Sequence, residues 1–456
     1  MIKEEKAESD KYNELKISKF KEYDRVTLLP SVNNFKEIVR DKIKKSVENN
    51  VKSSLILFDI DNFKHVNDSF GHEFGDIILR TISNEVRNLF DNEVTMCRYS
   101  GNTFILFINN INSEGDIKIA IKRIFNVFKQ PYEDMYLTIS MGVTVIPRDG
   151  EEYDSLLKNV DIAMYEAKQN GKNKFEFFDS EMGNKVIKEY ALQKELRRSL
   201  ENKEMYVVYQ PKVFLENSIV KGFEALVRWE NSKFGKISPV EFIPLSEQSR
   251  MIVPIGAFVL EEVCRKISYL SSNGYTDFKI AVNLSEVQFQ EGILISLLKR
   301  LIKKYKISSR HIEFEITESM FMKSFEKNLK LLEEIKCMGI TIALDDFGTG
   351  YSSLSYLTRL PIDVLKIDRS FIIDLCYNPK GKCMVENIIR LSHQLGIQVV
   401  AEGVECMEQV EYLKAISCDF VQGFYFSKPR PFEEIISIIG KTMKKHWQLR
   451  FLIIVY

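Results

Sequence analysis

From residue 205 onward the chain repeats one rhythm. Apolar, β-branched runs begin near Met205, Gly222, Phe278, His311, Thr341, Val364, Gln398 and Asp419, with helix-length stretches between most of them. In one stretch Phe325, Leu329, Leu332 and Ile335 form an apolar stripe at helical spacing, and Gly339 offers a C-terminal stop. About eight strands alternating with helices over roughly 250 residues predict a (β/α)8-type barrel. The first run, Met205 to Gln210, is followed by Pro211, and the second run comes too soon for a helical crossover. These two strands are therefore expected to pair antiparallel.

Six segments place an acid or an amide where a strand should end: Glu224-Ala225-Leu226-Val227-Arg228, Val282-Asn283-Leu284-Ser285, Glu315-Ile316-Thr317-Glu318, Asp345-Asp346-Phe347-Gly348-Thr349-Gly350, Lys366-Ile367-Asp368 and Glu402-Gly403-Val404-Glu405. A carboxylate beside an apolar run is costly unless it meets water, a cation or a metal. Barrels of this type build their sites at the C-terminal ends of the strands, so the series predicts a ring of acids around one mouth.

Each member has a plainer alternative. Glu224 and Arg228 share a strand face, which suits a metal plus a phosphate or, equally, a cross-strand ion pair. Adjacent strand residues point oppositely, so Asp345 and Asp346 reach one site only where the strand breaks. Gly348 and Gly350 are expected to supply that break, although a capping Asp before a Gly-rich turn fits too. Lys366 either holds an anion in the mouth or pairs across strands with Asp368 or another acid. Asn283 adds a hard oxygen without charge, and Glu402 adds a further strand-end carboxylate. His311 and His393 stand alone and read as structural, and an oxygen-only donor set argues against zinc.

The bulk properties narrow the class. A chain of 456 residues should hold about two or three domains. Its 64 Lys+Arg balance 64 Asp+Glu, so no global basic field draws polymeric nucleic acid or anionic lipid. Seven scattered cysteines without a C-x-x-C pair favour reduced thiols and a cytoplasmic location. Met1 to Tyr23 reads as a charged connector helix without a signal-peptide core, and no apolar stretch is long enough to span a bilayer.

Before the barrel, the expected order is helix 33–49, strand 53–58, helix 73–90, strands 94–99 and 103–109, helix 116–130, strand 136–146 and helix 155–169. This predicts an α+β sandwich with a hairpin tip at Ser100-Gly101-Asn102-Thr103. Residues 180–203 read as a stiff helical joint. The boundaries are set at 1–23 for the connector, 24–178 for the first domain, 179–187 for a linker, 188–442 for the barrel and 443–456 for a tail with an apolar end.

These barrel segments, with Tyr209-Gln210-Pro211 and Gln422-Gly423-Phe424 at either end, resemble the EAL family of cyclic-di-GMP phosphodiesterases in order and throughout. The resemblance implies a pair of divalent cations, Mg²⁺ or Mn²⁺. Glu224, Asn283, Glu315 and Asp345 would hold one, and Asp345, Asp346 and Glu402 the other. Lys366 would orient the attacking water, and Glu318 would brace the loop from Asp345 to Leu354. Gln210, Arg228, Asp368 and Gln422 would bind cyclic di-GMP, which is opened to linear pGpG. The family often dimerises through its barrel. The rival reading is a non-catalytic receptor for the same dinucleotide.

The first domain resembles the GGDEF family of diguanylate cyclases through Phe58-Asp59-Ile60-Asp61-Asn62-Phe63-Lys64, Asn67-Asp68, Gly71-His72, Gly75-Asp76, Ser140-Met141-Gly142-Val143 and residues 161–168. Its signature hairpin departs from the family: Ser100-Gly101-Asn102-Thr103-Phe104 stands where Gly-Gly-Asp/Glu-Glu-Phe is expected. Asn102 and Thr103 remove two negative charges from a site that would hold Mg²⁺ and a triphosphate, so cyclase activity is not expected. The family's Arg-x-x-Asp inhibition motif is also missing, with Asp91 and Val94 in its place. Asp59, Asn67 and Asp76 keep the family's metal and guanine positions. This leaves two readings, a GTP-sensing regulator or a folding and dimerising platform.

Overall fold

The computed structural model describes residues 22–90, 94–133, 135–321, 325–348, 357–439 and 441. The chain divides into two compact units, residues 1–188 and 189–456. The division falls inside one helix, Ser180–Leu196, which forms the greater part of the 180–203 stretch read as a joint; residues 197–203 are turns. No helix among the described residues is long and apolar enough to cross a membrane.

The first unit is built on five strands, β1 (Lys52–Ile60), β2 (Val94–Ser100), β3 (Thr103–Ile111), β4 (Ile139–Ile146) and β5 (Phe175–Phe177), in the order β2-β3-β1-β4-β5. Central β1 runs antiparallel to both β3 and β4. It is covered on both faces, which explains its unbroken apolar run. Leu55 and Leu57 pack with Phe35, Val39 and Ile43 of helix Val32–Glu48 and with Leu156 and Val160 of helix Tyr153–Gln169. Ile56, Phe58 and Ile60 pack the other way, with residues of helices His72–Asn88 and Glu114–Val127. Gly142 permits the first of these contacts, because a Cβ there would lie 2.0 Å from the Val160 carbonyl. The short parallel edge strand β5 was not read from the sequence, since three residues carry too little periodicity.

The second unit has strands β6 (Met205–Phe214), β7 (Ile219–Asn231), β8 (Gly235–Ile237), β9 (Lys279–Asn283), β10 (Ile312–Thr317), β11 (Thr341–Phe347), β12 (Val364–Ile367), β13 (Gln398–Ala401) and β14 (Phe420–Val421). Eight of them close a barrel through the order β6-β14-β13-β12-β11-β10-β9-β7, with β6 also pairing β7. β8 extends β7 as a hairpin. β6 is antiparallel to both neighbours, as the short β6–β7 connection requires, and the other barrel pairings are parallel.

Two local expectations are corrected. β6 does not end at Gln210 but runs through Pro211 to Phe214. Tyr209 and Val213 pair outward with Arg430 and Val421, and Pro211 falls between them, beyond the reach of two-residue β14. Its missing N–H therefore costs no ladder bond. β11 bends already at Asp346, which has φ +55°, where the β11–β12 register slips between Leu344 and Phe347, before Gly348, φ +97°, follows its end; Gly350 lies outside the described residues. Aspartate tolerates this left-handed conformation better than most side chains, so no glycine is needed there.

The barrel inverts the usual layering. On β10, Phe314 and Ile316 are fully buried in the core cluster beneath the helices, each contributing about 1.5–3 kcal/mol. Glu313 and Glu315 alternate with them and point inward. A thin apolar layer of Ala343, Val364 and Val400, with Phe420 against it, lies inside, and the mouth is lined mainly by charged and amide side chains, with Leu226 and Phe424 among them.

Candidate active site

Parallel register gathers the predicted acids. Glu315 pairs with Asn283 on one side, and Thr317 pairs with Asp345 on the other. Glu224 pairs with Gln210 across the antiparallel joint. A cavity of about 240 Å³ opens there, lined by Gln210, Glu224, Asp345, Lys366, Glu402 and Gln422, with Arg369, Glu405 and Phe424 at its rim.

Lys366 is the hub. Its side chain is 1% exposed, and its Nζ lies 2.9 Å from Glu315 Oε2, 2.9 Å from Asp345 Oδ2 and 2.6 Å from Glu402 Oε1. The plainer alternative, a pair with Asp368 or another acid, thus forms with acids of other strands and not with Asp368. Asp368 instead caps helix Arg369–Ile373 by accepting from the Ser370 amide. A second network runs through amides. Asn283 Nδ2 donates to Glu224 Oε1 at 2.7 Å, and Gln422 Nε2 donates to Glu224 Oε2 at 2.5 Å and to Gln210 Oε1 at 3.0 Å. Gln210 Nε2 donates to the Ser427 carbonyl.

Among the described residues the barrel interior holds five carboxylates, Glu224, Glu313, Glu315, Asp345 and Glu402, against two lysines, Lys212 and Lys366. The imbalance appears as protonation. Burial, reinforced by the charge of Glu315, pushes Glu224 up to about 7. Burial pushes Glu402 up to about 8 although Lys366 pulls against it. For Glu315 burial also acts upward, but Lys212 and Lys366 together overcome it and bring it down to about 2. Lys366 is held well above its ordinary value, since the surrounding acids outweigh its burial. Asp346 is raised by partial burial and by Asp345 and Asp368.

The donors fit a hard divalent cation. All are carboxylate or amide oxygens, and their excess negative charge is what a cation would neutralise. Glu315 Oε2 sits close to Lys366 without an aligned hydrogen bond, and buried Gln422 Oε1 has no hydrogen-bond partner among the described residues. Asn283 would meet a cation after a half-turn of its amide. Among the described residues no three acids, histidines or cysteines yet share a metal position, because the acids converge on the Lys366 ammonium instead.

Other expected residues lie apart from the cavity lining. Arg228 donates to the Val227 carbonyl, and burial lowers its pKa. Glu318 opens the short 3₁₀ helix Glu318–Phe321. The loop it was expected to brace is outside the described residues from Thr349 to Leu354, and so is Asp91. Sequence reasoning missed Lys212 and Glu313. A lysine inside an apolar strand, and an acid two residues before Glu315 on the same face, were the available signals.

In the first unit the corresponding acid is already satisfied. Asp59 Oδ1 pairs with Lys168 at 2.8 Å, and Asp59 Oδ2 accepts from the Thr103 hydroxyl at 2.8 Å. Asn102 turns its amide to the Ile60 carbonyl. Asn67 packs where a Cβ on residue 75 would otherwise sit, while Asp76 is half-buried.

An acid-ringed barrel with one antiparallel stave, following an α+β sandwich, defines a tandem GGDEF–EAL protein. The chain belongs to the EAL family: the EAL domain model matches residues 193–429, and the model described as diguanylate cyclase, GGDEF domain, matches 21–174. It is 35% identical over 92% of its length to the bifunctional diguanylate cyclase/cyclic di-GMP phosphodiesterase MucR of Pseudomonas aeruginosa, and 33% identical over 90% to the cyclic di-GMP phosphodiesterase PdeR of Escherichia coli. It covers 62% of each. A solved PaMucR phosphodiesterase in complex with c-di-GMP is 41% identical with TM-score 0.52, covering 54% of this chain and 99% of that one. The chain thus spans about three fifths of the length of these curated relatives.

Proposed function

We propose that the second unit hydrolyses cyclic di-GMP to linear pGpG. The observation that carries this reading is the convergence of Glu315, Asp345 and Glu402 on Lys366 inside one cavity that also holds Glu224, Gln210 and Gln422. Glu224, Asn283, Glu315, Asp345, Asp346 and Glu402 would hold two divalent cations, Mg²⁺ or Mn²⁺. When bound, these supply a water of lowered pKa and neutralise phosphate oxygens. Gln210 and Gln422 present amides to the dinucleotide at the cavity wall, with Arg228 and Asp368 flanking. Lys366 places a fixed positive charge beside the phosphate and orients the incoming water. A water oxygen forms the new P–O bond, and the 3′ ribose oxygen leaves carrying a proton. Glu318 is assigned to the loop that follows Asp346.

The first domain, 24–178, is assigned no cyclase chemistry. Asp59 is matched by Lys168 and Thr103, which supports a dimerising platform over a GTP sensor. A homodimer through the barrel and a cytoplasmic location complete the proposal. All seven cysteines are free thiols, in keeping with that compartment.

The test is incubation of the purified chain with cyclic di-GMP and Mg²⁺ or Mn²⁺, followed by chromatography. Appearance of pGpG supports the assignment. Tight binding without turnover would establish the receptor reading instead, and conversion of GTP to cyclic product would overturn the assignment of the first unit.

A further inference from the structure

The cavity above does not account for Lys212. This lysine is 7% exposed, in the barrel interior, between Glu313 Oε1 at 2.5 Å and Glu315 Oε1 at 2.6 Å. We infer that Lys212 is a positioning residue: it clamps one oxygen of Glu315 from below, so that the other faces the acid ring at the angle a divalent cation requires. The inference rests on the proposal that the ring is a cation site.

Two backbone features aim Lys212 inward. The β6–β7 register shifts between Lys212 and Val213, which inserts Lys221 as an extra residue opposite and turns the strand locally. The cross-strand partner of Lys212 is Gly222, which puts no side chain on the shared inner face. The lysine stem thus crosses the barrel to β10, where Glu313 and Glu315 project on one face.

The two oxygens of Glu315 are held differently. Oε1 accepts a hydrogen bond from Lys212. Oε2 lies 2.9 Å from Lys366 but has no aligned donor. A carboxylate fixed at one oxygen presents the other in a defined direction, which is how partners beyond the ligands themselves tune metal sites. Without Lys212, both Glu315 oxygens are free to rotate onto Lys366, and the ring loses a ligand direction. Charge neutralisation alone would not need this geometry, and the experiment separates the two.

Mn²⁺ alone is titrated onto the full chain, with free Mn²⁺ read by electron paramagnetic resonance and folding checked by thermal denaturation. Lys212→Met is expected to raise the Mn²⁺ Kd about ten- to hundredfold. In the Glu315→Gln background the same substitution should add little, because the effect passes through Glu315. Lys212→Arg, which keeps the charge but cannot place a planar fork where an ammonium sits between two carboxylates, should raise Kd at least about fivefold with the melting temperature retained. It carries the test if Lys212→Met does not fold. An unchanged Kd in both variants, or an equal loss with and without Glu315, overturns the positioning role. A wild-type chain that binds no Mn²⁺ overturns the cation-site proposal itself, a result distinguishable from either.

Discussion

The two units each keep acids at strand ends, but they treat the charge oppositely. In the first, Asp59 meets one lysine and one hydroxyl, and its account is closed. In the second, five interior carboxylates share two lysines, and the surplus is held partly as bound protons on Glu224 and Glu402. Asp59 with its lysine carries no net charge, whereas the barrel cluster keeps a surplus that favours a cation. The difference lies in how much negative charge each cluster leaves uncompensated by lysine.

The sharpest way to break the comparison is to remove one acid from each unit. Glu224→Ala should abolish pGpG formation, by about a thousandfold or more, since it would remove an oxygen proposed to hold one of the cations. Asp59→Ala should leave the rate within about twofold, because no ligand of the barrel site is touched. Comparable losses in both variants, measured by chromatography, would erase the distinction.

pH sharpens it next. Glu224 and Glu402 are raised to about 7 and about 8, so below these values a cation must displace protons. Mn²⁺ affinity should fall as pH drops from about 8 to 6, by up to about tenfold per unit for each proton displaced. Calorimetry in buffers of different ionisation enthalpy reads that proton release directly. In the cation-free chain these two raised groups stabilise the fold at low pH, and that contribution is lost as pH rises through 7 and 8. Glu315, lowered to about 2, has the opposite sign: its contribution is present above the ordinary carboxylate range and is lost as pH falls towards 2. A Mn²⁺ affinity flat between pH 6 and 8 would contradict the surplus-charge account.

Stability gives a smaller effect, confined to the first unit. Gly142→Ala forces a methyl against the Val160 carbonyl and should destabilise that unit by about 1–3 kcal/mol, read as an earlier first transition in thermal unfolding. The smallest expected effect is that of GTP. With Asp59 already paired, saturating GTP should change the pGpG rate by less than about twofold. A larger change would reinstate the sensor reading.

Much of this arrangement was legible beforehand because it depends on local rules. Strand alternation and helix-length spacing placed all eight barrel strands within a few residues of their observed starts, and the acids followed. The misreadings also have local causes. Proline at 211 reads as a strand end unless the neighbouring strand is known to be too short to need its N–H. The glycines at 348 and 350 drew attention from Asp346, whose own positive φ bends the strand two residues before Gly348.

The sequence by itself determined that Gln210, Glu224, Asp345, Lys366, Glu402 and Gln422 would face one mouth, since side-chain direction along a strand is set by the pleat of that strand alone. Which charges touch was decided only by barrel closure. Lys212 and Glu315 lie 103 residues apart and meet because β6 and β10 enclose the same interior. Low dielectric then makes such contacts set each group's protonation, a property of neighbours in space that no single strand encodes.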